Sequence, residues 1–210
     1  YKNLLDKLAE PVGKTAVILD AGSVSNRTKE TNVGNFIADA FREAMRSDIG
    51  FLNGGSIRAD ITYNPGVLTK RAVLSMLPFN NDVVKVEVTG KTLREILEHG
   101  VARSAEDSEP GRFPQISGVS FKFDAKRPAG SRVTEILVAG KPLDESKNYT
   151  IATSDFLVSN GGDGYTMFAD GKIIKDTTTQ KDAAILENAI VNSPNETISP
   201  KIENRIVRIN

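Results

Sequence analysis

The sequence predicts an α+β fold, a layered mixed β-sheet domain with covering helices. Two observations carry this. Helical and strand-like patterns interleave through the early chain, whereas beyond residue 112 strand candidates follow one another across short turns, as antiparallel strands do. The long helical patterns are amphipathic, so each has an apolar face to lay on a sheet. There is no internal repeat and no low-complexity segment.

Residues 1–9 carry Leu4, Leu5 and Leu8 at helical spacing and stop before Pro11, which reads as a short helix and, up to residue 12, as a linker or hinge remnant. The domain proper is expected over 13–210. Residues 13–20 alternate and are β-branched, a strand; 21–31 are polar and read as a loop around Arg27. From Asn32, the apolar positions Val33, Phe36, Ile37, Ala40, Phe41 and Met45 lie on one helical face. Residues 49–52 form a short apolar strand running into the glycine turn Asn53-Gly54-Gly55-Ser56, and 69–77 a helix ending at Pro78-Phe79-Asn80-Asn81. Residues 82–88 alternate as a strand. Thr92 and Glu95 read as a capping box for a helix to about Arg103. Residues 104–112 are charged and loop-like. Strands are expected over 115–124, 131–138 and 149–153, an irregular strand over 166–175, a helix over 179–191 and a last strand over 205–209.

Composition excludes several classes of function. At 210 residues the chain suits one largish domain, able to bury roughly 70% of its unfolded surface without staples. It has no cysteine, so disulfides and thiolate chemistry are ruled out. Lys+Arg and Asp+Glu are both 27, and a neutral chain with scattered charge is a poor partner for nucleic acid. The single histidine, His99, argues against a metal site of this chain's own and reads as a structural or surface residue. No apolar run approaches membrane-spanning length. The chain starts at Tyr1 without a methionine, which reads as an excised piece.

Three segments share a design: a regular element ends, a turn signal follows, and a functional group is presented. They are the stretch around Arg27, the turn from Asn53 to Arg58, and the run Asp155-Phe156 through Gly161-Gly162-Asp163-Gly164. Phe79 adds an exposed-looking aromatic. A flat heterocycle between Phe79 and Phe156 would gain roughly 1–3 kcal/mol per stacked face. Arg27 and Arg58 offer planar forks for a phosphate or carboxylate. Asp163 would accept from ribose hydroxyls, and Asn53 would bind a ring nitrogen or hold its own turn. The plain alternatives stand beside these: a glycine turn capped by its own aspartate, core phenylalanines and solvated arginines.

Taken in order, Arg27-x-x-Glu30-Thr31-Asn32-x-Gly34-Asn35, Asn53-Gly54-Gly55-Ser56-Ile57-Arg58, Leu77-Pro78-Phe79, Gly111-x-Phe113-Pro114-Gln115-x-Ser117-Gly118 and Asp155-Phe156 with Gly161-Gly162-Asp163-Gly164-Tyr165 resemble the C-terminal domain of the 5′-nucleotidase family. The resemblance runs from about Gly13 to the end. It implies a substrate-specificity domain whose partner, an N-terminal metallophosphoesterase domain of the same polypeptide, carries a divalent metal pair and the catalytic residues. Phe79 and Phe156 would then stack the base of a nucleotide or nucleoside, Arg27 and Arg58 surround the nucleotide, Asn53 face the base and Asp163 hold the ribose. Gly54, Gly55, Gly161 and Gly162 would support these loops. No Asp-x-His or Asn-His-Glu/Asp metal motif is present, so the chain is expected to be inactive alone, with no cofactor of its own. The resemblance also implies an extracytoplasmic location.

Two departures from the family pattern bear on the site. Four residues rather than the usual three separate Phe156 from Gly161, and one extra residue in a strand-to-loop segment can flip a side chain to the other face. Ser56 replaces a glycine, which is tolerable at an ordinary φ. The sequons at Asn26, Asn148 and Asn195 include one beside Arg27, where a glycan would crowd the pocket, pointing to a bacterial source. Rival readings are a specificity domain for cyclic nucleotides or nucleotide sugars, a sulfur-oxidation hydrolase on the same plan, and a stand-alone binding module.

Overall fold

The computed structural model describes residues 2–104 and 109–210, so part of the charged 104–112 loop lies outside the described residues. The helices are α1 (Lys2–Leu8), α2 (Ser23–Thr28), α3 (Asn32–Met45), α4 (Lys70–Met76), α5 (Gly90–Val101), α6 (Asp155–Asn160) and α7 (Asp182–Val191). A central sheet orders the strands Lys172–Ile174, Asp82–Thr89, Asn148–Ser154, Ile49–Asn53 and Pro114–Ser117, with Gln180–Lys181 also pairing along Asp82–Thr89. Asn148–Ser154 and Ile49–Asn53 run parallel, and the other pairings are antiparallel. The fold is the mixed, layered α+β domain that the pattern predicts.

Period-two alternation decides which core each central strand feeds. Tyr149 and Ile151 face one core and Ala152 the other; Val86 and Val88 share the first, Val83 the second. The first core is closed by Leu93, Ile96, Leu97 and Val101 of α5 and by a second sheet, Lys141–Pro142, Val133–Val138, Val119–Phe123 and Ile206–Arg208. The second core takes Val33, Ile37, Phe41 and Met45 of α3, together with α4, α7 and Val12 and Leu68 from the small sheet Thr197–Ile198, Pro11–Thr15, Gly66–Thr69. Each fully buried side chain of this kind contributes about 1.5–3 kcal/mol.

Local chemistry explains where elements begin and where the expectations need correction. Thr31 caps α3, its hydroxyl accepting from the Gly34 N–H at 2.9 Å. The cap of α5 is Thr89, three residues before the expected Thr92; its hydroxyl accepts the Thr92 N–H at 3.1 Å. Residues 23–28, expected as loop, form α2. The expected 13–20 strand is two, Pro11–Thr15 and Leu19–Asp20. The expected 115–124 strand breaks at Gly118, where φ is +76° and a Cβ would stand 2.1 Å from the Asp48 carbonyl oxygen. Its halves therefore join different sheets. The 166–175 segment is a 3₁₀ turn, Thr166–Asp170, followed by the strand Lys172–Ile174.

One edge of the central sheet gathers the loops that matter. The parallel strands ending at Asn53 and Ser154 both finish there, while antiparallel Asp82–Thr89 and Pro114–Ser117 begin there. Open sheets place ligand crevices at such carboxyl ends.

Candidate functional site

A cavity of about 360 Å³ opens at that edge, lined by Arg27, Asn53, Gly55, Ser56, Arg58, Phe79, Asn81, Gly111, Phe156 and Asp163. All six side chains singled out in the sequence line it together. Asn81, Ser56 and Gly111 also line it; the first belongs to the turn cluster after Phe79, the others to the recognised motifs. Phe79 and Phe156 are exposed aromatics, 56% and 37% accessible, at the mouth.

The extra residue before Gly161 does not take Phe156 away from the cavity. Residues 155–160 are a helix, not a strand running into a loop, so the two-residue alternation does not govern them. Gly161, in the left-handed conformation (φ 58°), ends α6 by donating its N–H to the Phe156 carbonyl. The ring of Phe156 lies against Gly162, where a Cβ would come within 2.3 Å of it. Gly162 thus acts through close packing.

Asp163 is held from both ends. The Asn53 side-chain amide donates to its carboxylate at 2.5 Å, and Nε2 of His99 donates to its backbone carbonyl at 2.8 Å. Ser56 Oγ donates to the Asn53 amide oxygen, so the residue standing in place of a glycine orients Asn53. Ser56 has no positive φ, which is why the replacement is tolerated. Asn53 therefore turns inward to hold Asp163 and its own turn. His99 is half-buried and edge-on to Tyr165, their centroids 4.6 Å apart. Burial, helped by the Arg112 charge, lowers the His99 pKa below its ordinary value, against the raising influence of its bond to Asp163 and that residue's charge. Burial also drives the Tyr165 phenol well above its usual range.

Backbone contacts tie the Asn53 turn to its neighbours: Gly54 N–H donates to the Phe113 carbonyl at 2.6 Å and Gly55 N–H to Gly111 at 2.9 Å. A Cβ on Gly54 would be 1.9 Å from the Asn26 carbonyl oxygen, so glycine is needed there for the approach of α2. Arg27 sits in the last turn of α2. Its Nη1 reaches the Glu109 carbonyl only at 3.5 Å, and its Nε is buried without a partner among the described residues. Arg58 stands 5.9 Å over the Phe79 ring. Asp60 is held below the ordinary carboxylate range by the Ser23 N–H and hydroxyl, with Arg27 and Arg58 contributing by charge. Asn26 is fully buried and donates to the Gly22 carbonyl at 2.8 Å, so its sequon is closed to a glycan in the folded chain.

Among the described residues no group of three or more His, Asp and Glu side chains is arranged to hold a metal ion, and the one imidazole is engaged by Asp163. No helix among them is long and apolar enough to cross a membrane.

Comparison with known proteins agrees with this architecture. A family model described as 5′-nucleotidase, C-terminal domain, matches residues 11–170. The chain is 36% identical to the trifunctional nucleotide phosphoesterase protein YfkN of Bacillus subtilis, over 100% of the chain and 14% of that protein. It is 32% identical to the human 5′-nucleotidase, over 94% of the chain and 37% of that protein. The crystal structure of a 5′-nucleotidase precursor from Thermus thermophilus superposes with a TM-score of 0.90 at 30% identity, covering 100% of this chain and 41% of that one. The chain thus spans less than half the length of each of these three proteins.

Proposed function

The chain belongs to the 5′-nucleotidase family as its C-terminal domain, and from that premise we propose that it is the nucleotide-recognition half of a two-domain phosphohydrolase. The observation that carries this reading is the cavity with two exposed phenylalanines, two arginines and a doubly held aspartate on its walls. Phe79 and Phe156 stack a nucleobase, for about 1–3 kcal/mol per stacked face. The Asp163 carboxylate accepts from ribose hydroxyls, with Asn53 fixing its direction. Arg27, whose Nε lacks a partner among the described residues, and Arg58 take the phosphate.

Hydrolysis belongs to a separate N-terminal metallophosphoesterase domain of the same polypeptide, carrying a divalent metal pair. The donor set here does not fit such a pair, since its single histidine is engaged by Asp163. We place the parent outside the cytoplasm on family grounds, which cell fractionation checks.

Titrating the 210-residue chain with adenosine, followed by NMR amide shifts, tests the reading. Two stacked faces at roughly 1–3 kcal/mol each set the expectation of a Kd of about 1 mM, near −4 kcal/mol. Shifts should saturate and centre on Phe79, Phe156 and Asp163, and Phe79→Ala should weaken binding about tenfold. Saturable shifts centred elsewhere, or none at several times that concentration, would overturn it.

A further inference from the structure

Stacking on two faces works only if the gap between the two rings is fixed near two van der Waals contacts, about 7 Å. Phe79 and Phe156 belong to segments far apart in the chain, and although Phe156 rests on Gly162, both rings are exposed, so core burial fixes neither. Phe79 rides on a turn in which Asn80 takes a positive φ of 56° before the strand starts at Asp82. Two successive N–H groups of that turn are taken by carboxylates. The Asp82 N–H donates to Asp155 Oδ1 at 3.1 Å, and the Asn81 N–H donates to Asp182 Oδ2 at 3.3 Å. Asp182 returns the bond, its N–H donating to the Asn81 carbonyl at 3.0 Å.

Asp155 is the residue immediately before Phe156, in the first turn of α6, and Asp182 opens α7. A side-chain hydrogen bond therefore runs from the helix carrying one aromatic wall to the turn carrying the other, beyond the last ladder pair, Ser154 with Val83. Asp182 steadies the same turn from behind while buried, 3% accessible. The Lys181–Asp82 ion pair, 2.9 Å between half-exposed side chains, adds little.

Resting on the base-pocket reading above, we propose that Asp155 is a positioning residue that fixes the spacing of the Phe79 and Phe156 walls through the Asp82 N–H, with Asp182 as the second strut. What matters in Asp155 is an acceptor oxygen at that place rather than its charge, because its partner is a neutral amide. Asparagine supplies the oxygen and alanine does not.

The test is adenosine titration of the wild-type chain, Asp155→Ala and Asp155→Asn, with the melting temperature of each. Asp155→Ala should raise the Kd about tenfold, while Asp155→Asn stays within about twofold of wild type. Both should have lost the same negative charge at the α6 N-terminus and melt within a few degrees of each other. Should Asp155→Ala not fold, Asp155→Glu, which moves the acceptor by one methylene, should weaken adenosine several-fold. Wild-type affinity in Asp155→Ala or Asp155→Glu, or equal losses in the alanine and asparagine variants, overturns the strut. Absence of saturable binding by the wild-type chain instead overturns the base pocket itself, and the strut with it.

Discussion

Asp163 has a positive φ of 51°, a conformation costing a non-glycine residue about 1–3 kcal/mol, and two neighbours hold it there. The burial of His99, rather than its bond to Asp163, makes the fold sensitive to acid. Its folded pKa lies below the ordinary value, mainly through burial, so between the two values the unfolded chain binds the proton and the folded one does not. The stability it contributes is complete above about pH 6.5 and is lost as pH falls through the lowered folded value. The groups facing the ring are Asp163, Arg112 and the Tyr165 phenol, which stays protonated throughout this window. His99→Gln keeps a donor for the Asp163 carbonyl and should flatten the fall in urea midpoint between pH 7.5 and 5.5. An unchanged slope would assign the acid sensitivity to another group.

At the scale of elements, α2 shows what the sequence hides. Its six residues hold one large apolar side chain, Val24, and that is 56% exposed, so there is no periodic stripe to read. Tertiary bonds hold it instead: buried Gln115 donates from Nε2 to the carbonyls of Asn26 at 3.1 Å and Lys29 at 2.8 Å, and its Oε1 accepts the Thr31 N–H at 3.2 Å. Gln115→Ala leaves the buried Asn26 carbonyl and Thr31 N–H without these bonds, and stability should fall by about 2–3 kcal/mol. Urea denaturation reads this, and a fall under about 0.5 kcal/mol would mean that α2 stands without the clamp. Other misreadings have the same root. Thr89 was hidden as a cap because the preceding strand alternates straight into it, and the Gly118 break because valine and phenylalanine alternate on its far side. By contrast, the α3 stripe from Val33 to Met45 was legible because a long amphipathic face reports its own burial.

For the whole molecule, motif order named the six pocket side chains, but nothing in the sequence said why loops over 130 residues apart converge. The reason is the strand order, which puts Ile49–Asn53 beside Asn148–Ser154 in parallel so that both end at one edge. The same view sets where the cooperative unit begins. No residue of α1 is buried, and Leu4 and Leu5 are 61% and 50% accessible. Past it, the Glu10–Lys70 ion pair is exposed and worth little, whereas Val12 and Thr15 are buried and the strand Pro11–Thr15 is paired on both edges. Deleting residues 1–9 should therefore lower the melting temperature by no more than about 2 °C, below the shift that 1 kcal/mol produces in a domain of this size. Deleting 1–15 removes the middle strand of the small sheet and the Val12 packing, and should abolish the cooperative transition. A loss above about 5 °C for the shorter deletion would make α1 part of the domain rather than its linker.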